Sequence, residues 1–173
     1  RSYAPSLSGL RAAAKDRVFP DEHRAALCAA LDRQYAGLEV DQAVRANLDR
    51  LRDPRSLTVT TGHQLCLFTG PLYVPFKLLN TVRLARSLNA ELGRPVIPMF
   101  WMATEDHDRA EIDHAFVNGD RVQWPGENAG AVGRMCLDGI EPVLDHLARA
   151  LGAGSDDLMA IVRRCYRPEH SLA

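Results

Sequence analysis

An α/β fold built on a parallel β-loop-α-β unit is predicted by three features of this chain. The β-branched run Leu57-Thr58-Val59-Thr60-Thr61 ends at Gly62 and leads through a second glycine, Gly70, into a long amphipathic segment. A nearly continuous apolar run, Pro95 to Met102, follows that segment and has the character of a strand buried on both faces of a parallel sheet. Directly after it comes the ionisable cluster Glu105-Asp106-His107-Asp108. A right-handed crossover brings both strand ends to one edge of the sheet, the edge where such folds bind ligands.

The elements follow in order. From Asp21 to about Arg52 the period is helical: Cys28, Leu31, Tyr35 and Leu38, then Val44, Leu48 and Leu51, recur at spacings of three and four. Gly37 ends the first helix, Asp41 caps the second, and Asp53-Pro54 stops it. Residues 1–56 therefore read as a helical segment that packs on something else. Residues 57–118 hold the strand-helix-strand unit. Pro71 suits the first turn of its helix, and Pro75 suits either that turn or a kink just inside it. Leu78, Val82, Ala85, Leu88 and Leu92 form the apolar stripe, closed by Gly93. Pro98 within the second strand predicts a bulge or an interrupted ladder. His114 starts a further strand, and Arg121 to Trp124 reads as another. Residues 119–173 are mostly helical, with stripes at Ile140, Val143, Leu144, Leu147 and Leu151 and at Leu158, Ile161, Val162 and Cys165. Ser155 caps the last helix, and Arg163 and Arg164 suit its final turn.

At 173 residues the chain has room for one domain with a real core. A formal charge of -1 gives no long-range attraction to nucleic acid or to an anionic membrane, so neither is an expected partner. The four cysteines, Cys28, Cys66, Cys136 and Cys165, form no C-x-x-C pair, which favours free thiols in a reducing cytoplasm. No signal-peptide core and no apolar run of the roughly 20 residues that span a bilayer is present. A cytoplasmic protein is expected. The first residue is Arg and the last segment ends without a closing element, so a piece of a longer protein is expected.

The chemistry concentrates in two loops. Gly62 and Gly70 let the backbone approach a ligand. His63 and Gln64 sit where the strand delivers side chains into the crevice, and an imidazole there can donate to a phosphate or a developing oxyanion. Thr69-Gly70-Pro71 can cap the helix and bind an anion with the same N–H groups. Lys77, in the first turns, either reaches a phosphate or lies on a solvated face. Glu105, Asp106, His107 and Asp108 admit three readings. They could ligate Mg²⁺ or Zn²⁺, act as acid–base groups toward an amine, or cap the short helix around Glu111. Consecutive residues cannot all point inward, so metal is the weaker option. Trp101 and Met102 read as core, with Trp101 also able to wall the pocket. Cys66 reads as a small buried residue, and His114 as structural or ligating in equal measure.

Thr61-Gly62-His63-Gln64, then Leu67-Phe68-Thr69-Gly70-Pro71-Leu72-Tyr73 with Lys77, resembles the signature of the bacillithiol synthase (BshC) family of cysteine-adding enzymes. So does Phe100-Trp101-Met102-Ala103-Thr104-Glu105-Asp106-His107-Asp108 with Glu111-Ile112 and His114. The resemblance implies a Rossmann-like core related to class I aminoacyl-tRNA synthetases, a connecting insertion starting at Gly119, and a helical coiled-coil domain through which the full-length protein would dimerise. It implies a ligase that joins cysteine to glucosaminyl-malate in the last step of bacillithiol synthesis. A carboxylate is a poor electrophile, so ATP or another nucleotide is the expected activator, through an adenylate or phosphate ester. In the ligase reading of the two loops, His63, Asp106, His107 and Asp108 are the expected catalytic residues, and Gly62, Gln64, Thr69, Gly70, Tyr73, Lys77, Trp101 and Glu105 are expected to bind substrate or nucleotide. Family members carry His or Gln at the place of His63, and hydrogen-bond donation is the role both share. Only the first half of the core is expected here, so the chain alone should not be fully active. The rivals are a metal-dependent hydrolase using Glu105 to Asp108, and a non-catalytic nucleotide- or thiol-binding module.

Overall fold

The computed structural model describes residues 2–127 and 130–173. In chain order the elements are α1 (Leu7–Asp16), α2 (Asp21–Tyr35), α3 (Gln42–Leu51), β1 (Leu57–His63), α4 (Tyr73–Leu92), β2 (Val96–Met102), α5 (Arg109–Ile112), β3 (His114–Val117), β4 (Asp120–Gln123), α6 (Glu141–Leu151) and α7 (Asp156–Cys165). The chain divides into two compact units. One takes the residues up to Thr61 with Leu79–Met99; the other takes Gly62–Leu78 with Phe100–Ala173.

The first unit is a three-layer arrangement. β1 and β2 are hydrogen-bonded neighbours. The Leu57 N–H donates to the Pro95 carbonyl at 2.9 Å at the start of the pair. Val96 packs with Leu57, Val59 and the α4 residues Ala85 and Leu88 on one face. Ile97 and Met99 pack with Cys28 and Leu51 of the α2–α3 hairpin on the other. Both faces are covered, which is why the β2 sequence is a continuous apolar run rather than an alternating one. Arg24 closes the hairpin: its guanidinium donates to the carbonyls of Leu51, Pro54 and Ser56 and to the Ser56 hydroxyl.

Three details depart from expectation. The α4 stripe is shifted: Thr81, Ala85 and Leu88 are buried, and Leu78 is exposed. Pro98 does not interrupt β2. Leu57 and His63 of β1 bond to Pro95 and Ala103, so odd-numbered β2 residues face β1 and the missing N–H of Pro98 points to the open edge. Ser155 precedes α7 without a side-chain cap; its hydroxyl instead donates to the Gly152 carbonyl at 2.8 Å.

In the second unit β3 and β4 form an antiparallel hairpin, His114 opposite Gln123 and Val117 opposite Asp120. Its two-residue turn has positive φ at both positions, Asn118 (51°) and Gly119 (93°), the turn geometry that matches strand twist. The expected division between 118 and 119 falls inside this turn. Val122, Trp124, Ile140, Leu144 and Leu147 make the core with Leu67 and Ile112. Among the described residues no helix is long and apolar enough to cross a membrane.

Candidate functional site

β1 and β2 run parallel, and at their carboxyl ends the Ala103 N–H donates to the His63 carbonyl at 3.1 Å. Gly62 suits a close approach there. A Cβ at this position would meet the Cβ and carbonyl oxygen of Trp101 at 3.2 Å. Beyond the strand the chain makes a tight loop, with Phe68 and Gly70 both at positive φ (57° and 67°). A side chain at Gly70 would collide with the Cys66 Cβ at 2.7 Å. Fully buried Leu67 pins the loop, its N–H donating to the Ile112 carbonyl at 2.8 Å.

His63 lies at the centre. Its Nδ1 is 2.8 Å from the Gln64 carbonyl oxygen. A carbonyl only accepts, so Nδ1 carries a proton. In the neutral ring Nε2 is then an acceptor, and it lies 2.5 Å from the Tyr73 hydroxyl. Tyr73 therefore donates to His63 when the ring is neutral. When the ring is protonated, Nε2 donates to the tyrosine oxygen and the phenolic proton turns outward. Tyr73 is half exposed, so it is the member of the pair that a ligand can touch. Lys77 donates to the Gly62 carbonyl at 2.6 Å, and its ammonium stands 5.8 Å from the centre of the Tyr73 ring. Cationic and hydroxyl donors thus gather at the first turn of α4, a donor set that suits phosphate or carboxylate oxygens.

Gln64 is buried, at 7% exposure. Its Nε2 donates to Glu111 Oε2 at 2.5 Å, while its own side-chain oxygen is buried without a partner. Cys66 Sγ stands 3.5 Å from His63 Nδ1 and donates to the Gln64 carbonyl at 3.7 Å. Burial, and secondarily the Glu111 charge, push the Cys66 thiol above its usual value. This keeps the sulfur protonated and unsuited to nucleophilic attack.

The segment after β2 is held differently. The Gly133 N–H donates to the Thr104 carbonyl at 3.1 Å and the Val132 N–H to the Asp106 carbonyl at 2.7 Å. Gly133 is needed because a Cβ would sit 2.5 Å from the Thr104 Cβ. Asp106 Oδ1 accepts the His107 N–H at 2.8 Å. The side chains of Glu105, His107 and Asp108 are exposed and Asp106 is partly buried. Among the described residues no three His, Cys, Asp or Glu side chains converge as metal ligands would. The two strand ends are adjacent in backbone, but among the described residues His63, Gln64 and Tyr73 have one another, Cys66 and Glu111 as side-chain partners and not Glu105, Asp106 or Asp108. Thr69 is exposed in the Gly70 loop. Trp101 and Met102, expected in the core, are 61% and 41% exposed. The apolar run outlasts the two-sided cover that α2–α3 and α4 give its first residues.

Comparison with known proteins settles the family. The model for "Bacillithiol biosynthesis BshC, N-terminal Rossmann-like domain" matches residues 3–173. The chain belongs to the BshC family. It is similar to a protein of Cytophaga hutchinsonii named "Putative cysteine ligase BshC", 38% identical over 99% of this chain and 32% of the relative. Proteins of the same name from Salinibacter ruber (39% identical, 91% of this chain and 31% of the relative) and Geobacillus kaustophilus (48%, 43% and 14%) are also similar. The chain spans about a third of the length of the relatives that match most of it. The Rossmann-like core expected from the motifs is therefore shown.

Within this BshC domain, two residues near the corner carry contacts that the sequence reading gave no role. Glu111, 47 positions from Gln64, is its side-chain partner. Arg109 is buried, stacks 4.2 Å from the Trp124 ring and donates to the carbonyls of Trp124 and Pro125. Both sit inside a run of charges that looks like one solvated loop. Only α5, a single turn, sorts them: Arg109 turns inward and is buried, while Glu111 stays exposed and reaches Gln64.

Proposed function

We propose that this chain is the nucleotide- and acyl-handling part of a ligase that joins cysteine to glucosaminyl-malate, the closing step of bacillithiol synthesis in the cytoplasm. The observation that carries this reading is the His63–Tyr73 pair with Lys77, assembled where two parallel strands end. Gly62, Gln64, Thr69 and Gly70 frame the corner with backbone and side-chain donors. Tyr73 and Lys77 present a hydroxyl and an ammonium to phosphate or carboxylate oxygens, and His63 sets the direction in which the tyrosine proton points.

ATP or another nucleotide would supply the activation that a carboxylate lacks. Asp106, His107 and Asp108, with Glu105 beside them, follow the neighbouring strand end and would take the proton released as the sugar amine attacks. Trp101, exposed beside Gly62, would wall the approach. The helical remainder of the full-length protein would provide the dimer contact. The names of the relatives support the ligase class, and the donor set supports an oxyanion or phosphate.

The protein in its full natural length, given glucosaminyl-malate, cysteine and ATP, should yield the thiol product by mass spectrometry. Nucleotide consumption without product, or product without nucleotide, would overturn the proposal.

A further inference from the structure

A groove of about 580 Å³ opens beside the corner, with Thr69 and Gly70 of the loop, Glu111, His114, Phe116 and Leu147 among the residues that line it. This is within the size range of small-molecule sites. Among the described residues that line it, Glu111 is the only acidic one and none is a lysine or arginine. The remaining walls are mostly aliphatic and aromatic. His114 also lines the groove, its Nδ1 held 2.9 Å from Asp113 Oδ1. The site is therefore complementary to a cation with an apolar or soft body.

Glu111 is held in place rather than left to rotate. Gln64 Nε2 donates to one of its oxygens. That bond fixes the orientation of the Gln64 amide, because the flipped amide would set its oxygen against the carboxylate. The Gln64 side-chain oxygen is buried and unpartnered behind it; Gln64 braces Glu111 and does not itself line the groove. A carboxylate fixed in this way against apolar walls makes a receptor for an ammonium group.

We propose that Glu111, positioned by Gln64, binds the ammonium group of the amino-acid substrate. The amino acid's side chain lies against the apolar walls of the groove. This rests on the ligase reading for the identity of the amino acid, cysteine, but not for the chemistry of the pocket.

The test is calorimetric binding to the full-length protein of cysteine and of 3-mercaptopropionate, which lacks the amine. Wild type should prefer cysteine by at least tenfold. Glu111→Gln should weaken cysteine at least tenfold and change 3-mercaptopropionate less than threefold. Equal affinities in wild type, or equal losses in the variant, would overturn the assignment. Should the variant fail to fold by circular dichroism, carbodiimide labelling of wild type decides: cysteine must protect Glu111, and unprotected labelling contradicts the proposal. A Glu111-dependent preference for cysteine without any ligase product would sink the ligase reading and leave this one standing. Product formation without that preference would do the reverse.

Discussion

The corner after β1 and the segment after β2 are comparably rich in polar residues, yet they are built in opposite ways. In the corner the side chains hold one another: His63 to Tyr73, Lys77 to the Gly62 carbonyl, Gln64 to Glu111. In the acidic segment the backbone is held, by the N–H groups of Val132 and Gly133, and the side chains of Glu105, His107 and Asp108 stay exposed. A group fixed before a ligand arrives costs less to order when it binds. The corner is thus preorganised, and the acidic side chains must be ordered by the substrate or by other parts of the protein.

The most severe way to break this contrast is at its glycines. Gly70→Ala adds a Cβ 2.7 Å from that of Cys66 at a φ of 67°. Left-handed strain and overpacking together should cost about 3 kcal/mol, read as a lowered urea midpoint. Gly133→Ala strikes the backbone cradle of the other segment, and its clash with Thr104 should cost about 2 kcal/mol. A neutral result at Gly70 would mean the loop has freedom that its contacts deny.

Activity sharpens the comparison next. His63→Ala should lower turnover at least tenfold with the fold intact, and His63→Gln, which keeps a donor, should lose only a few-fold. Asp106→Ala should also cost tenfold, and His107→Ala less, since its ring is 81% exposed. Wild-type rates in both His63→Ala and Asp106→Ala would remove these residues from the site.

A smaller effect tests how the corner is braced. The Tyr166 hydroxyl, beyond α7, donates to the Phe68 carbonyl at 3.3 Å, and burial pushes its phenol up to about 12. Below pH 10 the phenol is neutral in both folded and unfolded chains and nothing is lost. Above it the unfolded chain ionises first, so stability falls by roughly 2 kcal/mol as the pH rises to about 12. Tyr166→Phe should remove that part of the alkaline slope while costing about 1 kcal/mol at neutral pH. An unchanged slope would place the phenol's titration elsewhere. Smallest of all, Cys66 alkylation by iodoacetamide should be slow at pH 8, because its thiol is held protonated.

Much of this was legible in the residues. The switch from helical to strand period located α2, α3, β1, α4 and β2, and the two glycines marked the loop that carries the corner. Helix α1 went unread although Ser6 caps it, its hydroxyl accepting the Gly9 N–H. Leu7 and Leu10 are its only large apolar residues, and a run of alanines follows, which blurs the period. The Gln64–Glu111 contact had no local signal, because it joins positions 47 apart through the packing of a single helical turn. Trp101 and Met102 misled because an apolar run reports hydrophobicity and not where its cover ends.

The central claim is that His63 and Tyr73 act as one unit, and a double-mutant cycle on turnover tests it most directly. His63→Ala and Tyr73→Phe should each slow product formation at least tenfold, and the double variant should be no slower than the worse single, as residues in one unit behave. Wild-type turnover in Tyr73→Phe, or losses that multiply in the double variant, would contradict it.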